Sequence, residues 1–198
     1  MLYLLRHGQT SGNAAGLMQG RRDRELTDLG RRQAEVAARS LPPAAAVIAS
    51  PLRRACQTAE VIARGTPTID RRWMEMDFGE LEDRPVAQAV GLLWTGWAGD
   101  LEWAPVGGES LASLSRRVAE ACEELLPLIG GKDVIVVTHV SPIKAAVAWA
   151  LDVTPLIAGR LFVPEASITT IRAGGDGRPV LEGFGLAPRA DGWRIPDG

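Results

Sequence analysis

The sequence is short of the residues that usually announce special chemistry. Its 198 residues contain two histidines, two cysteines and one tyrosine. The cysteines, Cys56 and Cys122, fall inside helical patterns without a CxxC spacing; this argues against a disulfide framework or a cysteine zinc site, fits a reducing compartment, and makes both thiols core residues. No apolar run reaches the roughly 20 residues of a membrane span. The first run is too short for a secretion signal and has no basic segment before it, so a cytoplasmic protein without a membrane partner is expected. Positive charge is not in excess either: 22 basic against 24 acidic residues leave a net charge of −2, which gives no footprint for nucleic acid. Neither a Walker loop nor a GxGxxG run is present, so nucleotide cofactors have no support. Repeats and interdomain linkers are also missing, and one domain over 1–198 is expected.

What is present alternates between buried strands and amphipathic helices. Leu2 to Leu5 reads as a strand, and Leu26, Gly30, Ala34, Ala37 and Leu41 then recur at helical spacing until Pro42-Pro43. A strand at Ala46 to Ala49 precedes a helix from about Leu52 to Ala63, whose inward face is read as Leu52, Cys56, Ala59 and Ile62. Residues 64–108 are irregular and rich in tryptophan, with a short helix expected around Pro85 to Trp97. From Ser110 a long helix carries the stripe Leu111, Leu114, Val118, Ala121, Leu125 and Leu128 up to Gly130-Gly131. "DVIVVTH" gives a further buried strand, and Ser141-Pro142 reads as N-cap and first residue of the next helix, ending near Leu151. Two strands, "SITTIRA" and "PVLEGFG", flank the turn "GGDGR" before a frayed tail at 186–198. The pattern predicts a three-layer α/β/α sandwich around a mostly parallel sheet, with ligands outside the carboxyl ends of the strands.

That rule singles out the two histidines. His7 follows the strand "LYLL" and His139 follows "VIVVT", so both reach one sheet edge. Arg6 adds a fixed cation there, Gly8 is expected to let the backbone approach a ligand, and a neutral imidazole is a competent nucleophile. In "SPLRRA" a further arginine sits in the first turn of a helix, where backbone N–H groups favour an anion and a guanidinium can fork onto phosphate oxygens. Periodicity leaves open whether Arg53 or Arg54 points inward. The N–H of Val140, at the start of the helix after His139, is likewise expected to face an anion. A zinc site would need a third ligand at defined spacing, and none accompanies either histidine.

Six strings in order, "LLRHGQTSGN", "LTDLGRRQA", "SPLRRACQTAE", "EMDFGELE", "GGES" and "VVTHVSP", together resemble the histidine phosphatase superfamily, also called phosphoglycerate-mutase-like, over about Leu2 to Leu151. The sequence is most similar to the small phosphatases of the alpha-ribazole phosphatase and broad-specificity acid phosphatase type. The resemblance implies that His7 is the nucleophile, with Arg6, Arg54 and His139 around the phosphoryl group. It also implies that Asn13 binds a phosphate oxygen, while Thr10, Gln19 and Gly20 lie on the substrate side. Glu75 matches the proton donor, which the chemistry requires because an unprotonated alkoxide leaves poorly. Asp77, Glu80 and above all Glu82 are the alternatives. Arg6, Arg54 and a protonated His139 would supply the charge that a metal gives other phosphotransferases, so no metal or other cofactor is expected.

Three departures from the family pattern touch the pocket wall: Gln9 after RHG, Leu81 where tryptophan is frequent, and Asp83 in place of glycine. The tryptophans between Trp73 and Trp103 either offer a flat surface to an apolar substrate or form a small core under the loop. The expected function is hydrolysis of a small phosphomonoester, with alpha-ribazole 5′-phosphate or a broad range as substrates. A phosphoglycerate mutase comes second, since the central segment lacks a further basic clamp for a second anionic end. A non-catalytic phosphate-binding protein comes third. Self-association as a homodimer is left open.

Overall fold

The computed structural model describes residues 1–63 and 65–188. One six-stranded sheet organises them. Its strands are β1 (Leu2–Arg6), β2 (Ala46–Ala49), β3 (Thr68–Ile69), β4 (Val134–Thr138), β5 (Ile168–Ala173) and β6 (Pro179–Leu186). The spatial order is β3-β2-β4-β1-β5-β6. The first four are parallel, and β5 and β6 are added antiparallel at one edge. The expected α/β sandwich and its mostly parallel sheet are therefore present.

The strand sequences explain the layering. Every residue of β4 is buried, as a strand covered on both faces requires, and its Val-Ile-Val-Val composition is what such a position selects. Alternation divides the side chains between two cores: Leu2, Leu4, Val134 and Val136 join one, while Leu5, Ile135 and Val137 join the other. Each fully buried aliphatic side chain contributes about 1.5–3 kcal/mol, so β1 and β4 anchor both layers.

Helices α2 (Asp28–Ser40) and α3 (Arg53–Ile62) cover the smaller core with Ala37, Ala55 and Ala59. Alanines let them lie close to the sheet. A four-residue helix, α1 (Ser11–Ala14), precedes them, and Thr27 caps α2 by accepting from Gly30 N at 3.1 Å. The opposite face is covered by α5 (Leu111–Ile129) and α6 (Val140–Leu151), and α4 (Val86–Gly99) adds Ala89, Leu93 and Trp97 to the same core. Ser110 caps α5 as expected, accepting from Ser113 N at 3.0 Å.

Several expected details move. Leu26 and Leu41 flank α2 rather than belonging to it. The inner face of α3 is Arg54, Ala55, Thr58 and Ala59, and Cys56 is only half-buried, giving its Sγ–H to Ser50 O at 3.3 Å. The α5 seam ends on Ile129, because Leu128 turns outward. His139, not Ser141, occupies the N-cap of α6. The chain is already extended there, so the helix starts immediately after β4. The tail expectation lies, from residue 189 onward, outside the described residues.

β1 and β4 are neighbours, with Arg6 paired to Thr138. The chain leaves β1 for β2 on the far side of β4, so a crevice opens at the ends of β1 and β4, as open α/β sheets provide.

Candidate active site

His7 and His139 emerge side by side from that crevice, their ring centroids 5.0 Å apart and tilted by 60°. Both are buried. Nδ1 of His7 lies 2.7 Å from the carbonyl oxygen of Gly8. A carbonyl only accepts, so Nδ1 carries the proton and Nε2 keeps its lone pair. Burial, reinforced by Arg54 and Arg6, holds His7 well below its ordinary pKa despite the opposing Gly8 bond. The imidazole is neutral at neutral pH.

Arg54 stands between the histidines. Its Nε donates a forked bond to Nε2 of His7 and Nδ1 of His139, 3.2 Å in each case. The guanidinium also donates to the carbonyls of Arg22 at 2.7 Å and Gly20 at 2.8 Å. Burial lowers its pKa to about 10, leaving it cationic. Arg54 is almost wholly buried and Arg53 exposed, so the inward arginine of the pair is Arg54.

The fork also fixes His139. Because Nδ1 faces a donor, the single proton of a neutral ring sits on Nε2, which meets Ser50 Oγ at 2.7 Å. Burial, then Arg54 and His7, hold this ring well below its ordinary pKa. The expected protonated His139 is thereby corrected: buried beside Arg54 and His7, the ring is neutral. Arg6 completes the floor, donating to Val163 O at 2.7 Å and facing Glu165 at 3.5 Å.

Glu75 enters from the segment between β3 and α4. Its Oε2 accepts from Val140 N at 3.2 Å, and its Oε1 accepts from Ser141 N at 3.1 Å and Met76 N at 2.9 Å. The start of α6 therefore holds a side-chain carboxyl group of the protein, and the Val140 N–H is not open to a ligand as expected. Around it, Thr138 Oγ1 donates to Trp73 O at 2.6 Å and Arg117 donates to Arg72 O at 2.6 Å. Glu82 is engaged elsewhere, accepting from Arg21 N at 2.6 Å and Arg22 N at 3.1 Å. Asp77 caps Gly79 N at 3.0 Å. Of the alternatives to Glu75 weighed from sequence, none lines the cavity.

A cavity of about 500 Å³ opens above these groups. Arg6, His7, Asn13, Gln19, Gly20, Arg54, Glu75 and Val140 line it, whereas Gly8, Thr10 and His139 stand behind the lining. Thr10 Oγ1 lies 2.7 Å from Gln19 Oε1 and 2.9 Å from Asn13 Oδ1, so it braces the polar wall. Gly8 has a different task from the one expected. A Cβ there would overlap the carbonyl oxygen of Gly30, so this glycine admits α2 rather than a ligand. Gly20 has φ +50° and faces the Glu82 carboxylate.

The outer wall is apolar. Phe78, Leu93, Trp94, Trp97, Leu111 and Leu114 contribute, with Trp94 and Trp97 edge to face at 5.3 Å. Trp73 is wholly buried in the core and Trp103 packs on Gly96, so the tryptophans divide between cavity wall and subcore. Sequence reasoning missed Ser50, Thr58, which accepts from Gly8 N at 3.2 Å, and Lys144, which lines the cavity. "SPLRR" carried Ser50 in plain view, but partnership across 89 residues has no local signal.

Among the described residues no cluster of three His, Cys, Asp or Glu side chains could hold a metal, and no helix is long and apolar enough to cross a membrane.

The chain belongs to the histidine phosphatase superfamily, branch 1, whose family model matches residues 2–185. It is 36% identical over 185 residues to the bifunctional protein Rv2228c of Mycobacterium tuberculosis, covering 89% of this chain and 51% of that one, so it spans about half of that relative's length. It is 33% identical over 180 residues to a probable phosphoglycerate mutase, GpmB, of Proteus mirabilis, covering 86% and 83% of the two chains. The crystal structure of a phosphoserine phosphatase from Entamoeba histolytica in complex with 3-phosphoglyceric acid matches with a TM-score of 0.84 at 29% identity, over 92% of this chain and 95% of that one. A putative alpha-ribazole-5′-P phosphatase of Escherichia coli matches at 0.77 and 26%, over 96% of each chain.

Proposed function

We propose that this enzyme hydrolyses a small phosphomonoester in the cytoplasm through a phosphohistidine at His7, without a metal cofactor. The observation that carries the reading is the 2.7 Å contact of His7 Nδ1 with the Gly8 carbonyl oxygen, from which the ring proton is assigned to Nδ1 and the Nε2 lone pair to the cavity floor beside Arg54. Residues 1–198 are read as one domain, with 64–108 as its active-site cap segment.

In the first step Nε2 attacks phosphorus, the P–N bond forms, and the P–O bond to the leaving group breaks. Arg6 and Arg54 take the equatorial oxygens, as preorganised cations do in phosphoryl transfer. The forked Nε–H of Arg54 turns from the imidazoles to the incoming oxygen, and Glu75 delivers a proton to the departing oxygen. In the second step Glu75, now a carboxylate, takes a proton from water, whose oxygen displaces His7 and releases phosphate. Asn13 is assigned to a phosphate oxygen and Gln19 to the substrate side. The apolar wall supports a substrate with an apolar or aromatic body.

p-Nitrophenyl phosphate is the first test. Turnover by the wild type in EDTA, its loss in His7→Ala, and an acid-labile phosphoprotein trapped on quenching support the reading. Equal rates in wild type and His7→Ala would sink the nucleophile assignment. Loss in EDTA restored only by a divalent metal would sink the metal-free mechanism. Mutase turnover of 3-phosphoglycerate promotes the mutase reading.

A further inference from the structure

We propose that Lys144 is a specificity-determining residue that binds a second anionic group of the substrate, a carboxylate close to the phosphate ester. The proposal rests on the phosphatase reading of the same cavity.

The chain has 22 basic residues and only two of them are lysines. Lys132 is exposed, but Lys144 is half-buried in α6 and lines the cavity with Ser141 and Ala145. Its Nζ donates to Ala158 O at 2.8 Å. An ammonium has three protons, and among the described residues no carboxylate forms an ion pair with this one. Nearby arginines are differently placed: Arg6 faces Glu165 at 3.5 Å, Arg21 faces Glu109 at 3.6 Å, and Arg117 reaches Glu109 at 2.7 Å. Two cations of the cavity wall therefore lack a carboxylate partner, Arg54 and Lys144. The first is taken by the phosphoryl group. The second is left for another anion.

The helix fixes where that anion would sit. Val140 and Ser141 hold Glu75 through their N–H groups, and Lys144 follows three and four residues later on the same face. One helical turn, ~5 Å along the axis, thus separates the group that protonates the ester oxygen from the ammonium. A carboxylate a few bonds from the ester oxygen matches that offset. Arginine is this chain's default cation. A compact lysine head placed among apolar side chains is partly stripped of water, which already draws its pKa down, and a bound carboxylate restores what burial removes. The apolar wall remains available to the carbon skeleton. The substrate class is therefore a phosphorylated hydroxy acid or amino acid.

The test compares two phosphomonoesters that differ chiefly in the carboxylate, 3-phosphoglycerate and glycerol 3-phosphate. The readout is the ratio of their kcat/KM values. In the wild type the ratio favours 3-phosphoglycerate by roughly tenfold or more, as loss of one charged contact implies. Lys144→Gln, which keeps a donor for Ala158 O, collapses the ratio toward one, and Lys144→Arg keeps most of it. A wild-type ratio near one, or a ratio unmoved by Lys144→Gln, overturns the proposal. Absence of p-nitrophenyl phosphate turnover strikes the phosphatase reading instead. In that event calorimetric binding of 3-phosphoglycerate decides: equal affinity of wild type and Lys144→Gln overturns the role of Lys144.

Discussion

The Nε2 proton of His139 ends on the hydroxyl of Ser50, 2.7 Å away and wholly buried. This bond orients the second histidine from behind, so that its Nδ1 faces Arg54 and, through it, His7.

Removing that hydroxyl leaves a buried N–H without a partner. Ser50→Ala is expected to lower kcat on the order of tenfold and to cost about 1–3 kcal/mol of stability. Steady-state kinetics alongside urea unfolding checks both, and an unchanged kcat would remove Ser50 from the positioning role.

Glu75 and Glu82 separate by their dependence on the leaving group. Glu75→Gln should slow alkyl phosphates by on the order of 10²–10³, and p-nitrophenyl phosphate far less, because nitrophenolate departs without a proton. Glu82→Gln loosens the loop at Arg21 and Arg22 and should slow both substrates by a similar factor. The reverse pattern would exchange the two assignments.

Gly8→Ala is a test of packing. Its methyl group meets the backbone of Gly30, where nothing flexible can give way, so a loss of about 1–3 kcal/mol is expected. A thermal melt measures it. A variant with wild-type stability but a raised KM would restore the ligand-approach role first expected for this glycine.

Acid should destabilise the protein through its histidines. Both rings are held well below their ordinary pKa, so the unfolded chain binds protons that the native one refuses. Their contribution is complete above about pH 6.5 and is lost as pH falls from there toward the native values, by up to about 1.4 kcal/mol per pH unit for each ring. Urea unfolding at pH 7.5 and 5.5 should show this slope in the wild type and a shallower one in His7→Gln. Equal slopes would mean that His7 titrates normally in the folded protein.

Much of this architecture was legible from local pattern. Val134 to Thr138 could only be a strand covered on both faces, and two histidines following two such strands pointed to one edge. Arg54 over Arg53 came from resemblance, since periodicity treats neighbours in a first turn alike. The misreadings share a cause. Val140 N–H is satisfied by Glu75, 65 residues away, and Gly8, in the loop after β1, is shaped by Gly30 of α2. Lys144 is the one charged residue of a largely apolar helix, and only the cavity gives it a use. Charge state was equally hidden, because neutrality of His139 follows from burial beside Arg54 and not from its neighbours in sequence.

The contact between Gly8 and Gly30 also limits how portable the reactive segment is. Arg6, His7 and Gly8 form three consecutive letters, yet the third is shaped to the backbone of a helix more than twenty residues downstream. Grafting the tripeptide onto the strand end of another sheet would deliver the side chains without the surface that seats them. The smallest transferable unit is the strand together with α2, and a designer who moves one must move both.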